Sequence, residues 1–153
     1  IFGVSFEATE LIENRKRLQT YLNHLLQYSN ENFYWMDLNS NILLCNNSQA
    51  KFFGYDDPQQ LIGKNIYNFA QKMGWSKELA NKIRQHDVEV INNKSSQQYE
   101  EKGFFRGEKK TFLSSKSPFF DDDDNIIGIF GLAVDISEQK RREELLRLAK
   151  ESA

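Results

Sequence analysis

His86 is the residue whose chemistry stands out. It shares one stripe of a helical stretch with Leu79, Ile83 and Val90, and Asp87 follows it directly. A neutral imidazole facing a pocket can ligate iron. The alternative, a buried histidine bonded to a carbonyl, is the commoner fate of such a residue and needs no metal. Cys45 is the one cysteine, which excludes an internal disulfide framework and fits a reducing compartment. The run from Asp121 to Asp124 gathers four carboxylates. Adjacent carboxylates on a turn cannot all face one ion, and their spacing is not that of a calcium loop, so a solvated turn is expected. The chain has no phosphate-cradling glycine loop, zinc-protease helix or nucleophile elbow, so no catalytic residue is expected in it.

Binding is better provided for than catalysis. Phe33, Trp35, Phe52, Phe53, Phe69 and Trp75, with Met73 and Ile83, can line a small-molecule cavity between helices and a sheet, or can equally fill a core. A cavity needs converging polar groups to orient its ligand, and His86, Tyr99, Ser114 or Ser115 are the candidates. Nearer the C-terminus, Asp135, Ile136 and Ser137 join an apolar strand to a charged helix. Asp135 with Glu138 three residues on forms a capping-box pattern, and Ser137 is an alternative cap. A cap contributes about 1 kcal/mol, a scale on which a ligand with state preference can act. These three residues are therefore the candidates for passing a signal on.

The elements that must position these groups follow from periodicity and turn chemistry. From Glu7 to Ser29 the chain lacks Gly and Pro, and Leu11, Leu18, Leu22 and Leu25 recur at helical spacing. This amphipathic helix either packs on its own domain or pairs with a second copy, and Arg15 interrupts any coiled-coil seam. Phe33–Leu38 and Ile42–Cys45 read as a hairpin around Asn39-Ser40-Asn41. Asn46, with Gln49 reaching back, starts a short helix ending near Gly54; Asp57 and Pro58 start another. Ser76 caps a longer helix to about Asn93. Gln97–Phe105, Lys110–Phe120 and Asn125–Ile136 read as an antiparallel meander. The last strand is apolar on both faces, so cover is expected on both. Gln139–Ala153 is strongly helical.

With 153 residues, 39% of them hydrophobic and twelve Phe, the chain can bury a real core. A formal net charge of −2 and scattered Lys and Arg do not suggest nucleic-acid binding. No apolar run approaches the roughly 20 residues that span a bilayer. The opening Ile1-Phe2-Gly3-Val4 could end an upstream membrane segment. A start at Ile rather than Met, and an end inside a helical pattern, read as a piece of a longer protein.

Taken in order, several of these pieces resemble the PAS family of sensor domains over about Asn30 to Ser137. They are Tyr34-Trp35-Met36-Asp37, Cys45-Asn46 leading to Phe53-Gly54-Tyr55, Leu61-Ile62-Gly63-Lys64, and His86-Asp87-Val88-Glu89-Val90. Ser117-Pro118-Phe119 and Asp135-Ile136-Ser137 complete the set, the last resembling the family's Asp-Ile-Thr junction. The resemblance implies an α+β fold: a five-stranded antiparallel sheet with short helices on one face, flanked by N- and C-terminal helices. Residues 1–29 would form the N-terminal helix, 30–137 the PAS domain and 138–153 the start of a signalling helix. That helix is similar to the connector leading into sensor histidine kinases of bacterial two-component phosphorelays. The phospho-accepting His motif is absent, so the phosphotransferase would belong to the parent protein. Similar helices precede diguanylate cyclases, and a ligand-free dimerisation module is a further alternative. The family also implies a homodimer in the cytoplasm, within a parent that can be membrane-anchored. His86 lies near the iron ligand of haem-based gas-sensing members, but haem is not required by the resemblance. Flavin is not expected, because the light-sensing members carry their cysteine in an Asn-Cys-Arg-Phe motif, which Cys45 lacks.

Overall fold

The computed structural model describes residues 2–152, and the side chains of residues 5–152. The side chains of Ile1-Phe2-Gly3-Val4, read above as a possible membrane-segment end, lie outside the described residues. In chain order the elements are α1 (Phe2–Tyr28), β1 (Asn32–Met36), β2 (Ile42–Cys45), α2 (Asn47–Phe52) and a 3₁₀ turn (Pro58–Leu61). Then follow α3 (Ile66–Met73), α4 (Lys77–Asn93), β3 (Gln97–Phe105), β4 (Glu108–Phe120), β5 (Ile126–Asp135) and α5 (Ser137–Glu151). The five strands make one antiparallel sheet in the order β2-β1-β5-β4-β3. This is the expected α+β architecture.

Local chemistry sets the short helices. The Asn46 side chain accepts from the Gln49 N–H at 3.0 Å and from the Phe33 N–H at 3.1 Å, so it caps α2 and ties it to β1 at once. Asp57 and Gln60 form a reciprocal capping box on the 3₁₀ turn, with Pro58 at its first position. Asn65 and Asn68 do the same for α3. Ser76 caps α4 through the Leu79 N–H at 3.1 Å. At the acidic turn, Asp121 accepts from the N–H groups of Asp123 and Asn125, both at 2.9 Å. The carboxylate that anchors the turn is thus committed to backbone donors.

The two faces of the sheet differ. Strand alternation sends Asn32, Tyr34 and Met36 of β1, Ile129 of β5, and Phe112, Ser114 and Lys116 of β4 toward α2, α3 and α4. Tyr34 lies across Gly131, where a Cβ would sit 2.0 Å from its ring, so only glycine admits the tyrosine there. The opposite face carries Phe33, Trp35, Phe130, Leu132 and Val134, which are half-buried. Trp35 opposes Phe130, with ring centroids 4.8 Å apart. The expected second cover is therefore incomplete in the single chain. Helix α1 does not provide it, for Leu11, Leu18, Leu22 and Leu25 are all exposed. No helix among the described residues is long and apolar enough to cross a membrane.

Candidate functional site

Between the inner face of the sheet and the helices lies a cavity of about 80 Å³. Its apolar wall takes Phe52 and Phe53 from the end of α2, Phe69 from α3, Trp75 from the loop before α4, Ile83 from α4, and Phe105 and Phe112 from β3 and β4. The rings brace one another. Phe53 stacks on Phe69 at 4.1 Å, while Phe52 meets Phe112 at 5.1 Å and Trp75 meets Phe105 at 4.7 Å, both edge to face. Such contacts each add to area burial.

The other wall is charged. Lys116, with a side chain only 1% exposed, reaches Asp87 at 2.8 Å and Glu101 at 3.6 Å. Asp87 also accepts from the Ser40 hydroxyl at 2.7 Å, and Glu101 accepts from the Ser114 hydroxyl. Burial would push the Lys116 ammonium down, but Asp87 and Glu101 outweigh it and raise its pKa. For Glu101, burial likewise opposes ionisation, yet the hydrogen bond from His86, the Lys116 charge and Ser114 hold its carboxyl below the usual range. Burial also raises the neighbouring Tyr34 phenol, keeping it neutral. The cavity thus combines an aromatic half with a fully paired ionic half.

Of the residues expected to line a pocket, Phe52, Phe53, Phe69, Trp75, Ile83 and Ser114 do so. Phe33 and Trp35 do not, because they sit on the outward-facing register of β1. Met73 packs against the core without reaching the cavity. His86 and Tyr99 form a separate pair, with rings stacked at 3.8 Å. The buried stripe of α4 is Ala80, Asp87 and Val90, one residue round from the expected line through His86. His86 therefore faces β3, its Nδ1 lying 2.9 Å from Glu101. Haem does not fit these residues. The imidazole is engaged by Glu101 outside the cavity lining, and a cavity of roughly 150 Å³ is needed merely to admit benzene. Cys45 is buried beside Pro58, and burial raises its thiol to about 11. Ser115 lies on the outward register with Gln98.

The strand-to-helix joint is also built differently from expectation. Asp135 accepts from the Ser137 N–H at 2.9 Å and from Lys110 Nζ at 3.1 Å. Burial would raise the Asp135 carboxyl, but those bonds bring it below its ordinary value. The capping box with Glu138 does not form; Glu138 pairs with Arg142 one turn on, at 3.2 Å. Ser137 does not cap α5 either. Its hydroxyl turns back and accepts from the buried Thr111 N–H at 2.9 Å, while the Ile136 N–H donates to the Thr111 carbonyl at 2.9 Å. The joint is a clasp on β4. One turn later Lys140 meets Glu100 of β3 at 2.7 Å, the residue next to cavity-lining Glu101.

A family model described as the PAS fold matches residues 26–141, most of the chain. The chain belongs to the PAS fold family. Among solved structures, this PAS domain is similar to one described as VqmA bound to DPO, with 18% identity and a TM-score of 0.65, covering 76% of this chain and 57% of that one. A Vibrio cholerae VqmA–ligand–DNA complex gives 19% identity and a TM-score of 0.66 over 77% of this chain and 51% of that one. The chain thus spans about half the length of these VqmA chains. The PAS domain of Bordetella pertussis BvgS gives 22% identity and a TM-score of 0.65, over 90% of this chain and 99% of that one. At these identities the likeness establishes the fold. No curated protein matches the chain.

Sequence reasoning missed Tyr34, Ser40, Asp87, Glu101 and Lys116, with Phe105 and Phe112, as parts of the site. One signal was available: on β4 the inward register runs Phe112, Ser114, Lys116, Pro118, so a lysine sits among inward positions, where lysine is almost never buried without a partner.

Proposed function

We propose that this PAS domain is the sensory input module of a two-component sensor histidine kinase, acting as a homodimer. A small molecule in the cavity between sheet and helices changes the seating of α5, and the relay runs through Asp135, Ile136 and Ser137 to a kinase domain in the same parent chain. One observation carries this reading. Consecutive residues of β3 touch both ends of the relay, Glu101 in the charged cavity wall and Glu100 against Lys140 of α5. A shift in the Lys116–Glu101 pair is thereby transmitted to the first turns of the output helix. The charge pattern of α5, with Arg142 on Glu138 and Arg147 on Glu144 and Glu151, suits a helix that continues as a solvated connector. The domain works in the cytoplasm, and no nucleic-acid contact is assigned to it.

A second reading comes from the VqmA likeness, where a PAS-fold protein occurs in a ligand–DNA complex. There the same domain would control a DNA-binding output. The test is the full-length protein carrying Asp135→Ala and, separately, Ser137→Ala. A kinase parent predicts altered basal or stimulated autophosphorylation in both variants. Unchanged phosphorylation in both would remove the relay, and a parent without a phospho-accepting histidine would remove the kinase, leaving a DNA-binding or cyclase output.

A further inference from the structure

Asn46 and Gln49 have the spacing of a capping box, yet the box does not close. The Asn46 N–H donates to the Phe33 carbonyl at 3.1 Å, so the Gln49 side chain has no cap to make. Gln49 lines the cavity and is only 5% exposed. Its hydrogen bonds are all made by its backbone. The amide is nonetheless not sealed in, since among the described residues Trp75 Nε1 is the one buried side-chain nitrogen or oxygen that lacks both a partner and accessible surface. The Tyr34 hydroxyl, on a residue 8% exposed that lines the same cavity, is open in the same way. Buried polar groups nearly always find a partner, and open ones on a cavity wall mark a place for a bound molecule.

Both open groups are neutral, and that sets the chemistry. A carboxamide presents a C=O acceptor and an N–H donor side by side, and the group that meets both at once is another carboxamide. The charges in the wall are engaged with one another: Lys116 with Asp87 and Glu101, Asp87 also with Ser40, Glu101 also with His86 and Ser114. A charged ligand would give up its hydration without gaining a free counter-charge, which is costly at a buried site. Size sets the other limit. The cavity of about 80 Å³ is roughly half of the 150 Å³ or so that holds benzene, which leaves room for roughly three or four non-hydrogen atoms. We infer that the cavity takes a small neutral primary amide or urea whose C=O and N–H pair with the Gln49 amide. Its remainder lies against Phe52 and Phe53, which follow Gln49 by three and four residues on the same side of α2. This rests on the ligand-sensing reading above and narrows it to a ligand class.

The Gln49 amide gives a direct readout. Its side-chain N–H signals in nitrogen-15 spectra are assigned by their loss in Gln49→Met. The probes are acetamide, acetone, acetate and acetamidinium, which share one planar Y-shaped frame smaller than benzene and differ only in charge and hydrogen-bonding groups. Acetamide is expected to shift a Gln49 N–H signal downfield, saturably and with millimolar affinity. It should bind about tenfold more tightly than the other probes, as one further hydrogen bond allows. Gln49→Met keeps the length and packing of the side chain, and is expected to erase that preference while leaving acetone affinity unchanged. If acetone or either ion binds the native protein as well as acetamide does, or if the preference survives in Gln49→Met, the ligand class is wrong while the cavity remains a binding site. If no probe perturbs the resonances of Gln49, Phe52 or Ser114, water satisfies Gln49 and Tyr34. Both the ligand class and the ligand-sensing reading then fall.

Discussion

Lys116 is almost fully buried, and its charge is tolerable only because Asp87 and Glu101 flank it. Removing one member of such a cluster strands the others. Lys116→Met is therefore expected to lower the unfolding free energy by about 3–5 kcal/mol, read as a lower denaturant midpoint. Lys116→Met combined with Asp87→Leu should recover much of that loss. An unchanged midpoint in the single variant would mean that the cluster is not buried as described. Glu101 adds a pH dependence whose sign is fixed. Its carboxyl is held below the ordinary value in the folded state, so its contribution is fully present above the unfolded value of about 4.3. That contribution is lost as pH falls through the lower folded value. The melting temperature should hold from pH 7 to about 5 and fall below about 4. Glu101→Gln should shallow that acid limb, and a limb of equal steepness in the variant would assign it to other carboxylates.

The joint between β5 and α5 shows how an element is placed by contacts outside itself. Ser137 was legible as a helix-start residue, because Ser just before a charged helical run is a capping signal. Its actual partner, the Thr111 N–H, lies 26 positions away in sequence, and no local pattern reports such a contact. The same holds across the molecule. The five strands, the caps at Asn46, Asp57 and Ser76, and four of the cavity aromatics, Phe52, Phe53, Phe69 and Trp75, came from spacing and turn chemistry, which are local, whereas Phe105 and Phe112 did not. The ionic half did not, because Ser40, Asp87, Glu101 and Lys116 come from four separate elements, and their meeting depends on strand register and on the rotation of α4. A shift of one residue round that helix exchanges His86 for Asp87 at the cavity, which an amphipathic stripe read from sequence does not resolve. Ser137→Ala tests the clasp. It orphans a buried N–H, so a loss of about 1–3 kcal/mol is expected, with faster amide exchange in the first turn of α5. Exchange rates unchanged there would make the clasp irrelevant to the seating of the helix.

Viewed whole, the molecule keeps the helix-facing side of its sheet well covered and leaves apolar surface elsewhere. Leu18 is 66% and Leu25 58% exposed on α1, and Tyr28 continues the exposure. The outer face of the sheet, through Trp35 and Phe130, is only half-buried. Contiguous exposed apolar surface of this kind marks an interaction site in soluble proteins. A formal net charge of −2 raises little repulsion against self-association. A second copy of the chain fits the leucine spacing of α1, since Leu11, Leu18 and Leu25 recur every seven residues. Sedimentation equilibrium should therefore find a concentration-dependent dimer. Leu18→Glu with Leu25→Glu should yield a monomer whose melting temperature, measured at low concentration, is little changed. Exposed substitutions away from packed features usually shift stability by no more than about 0.5 kcal/mol. A dimer that survives both charges would move the interface off α1 to the outer sheet face, where Trp35→Ser is the corresponding variant. A chain that stays monomeric at every concentration would remove both α1 and the outer sheet face as interfaces between copies.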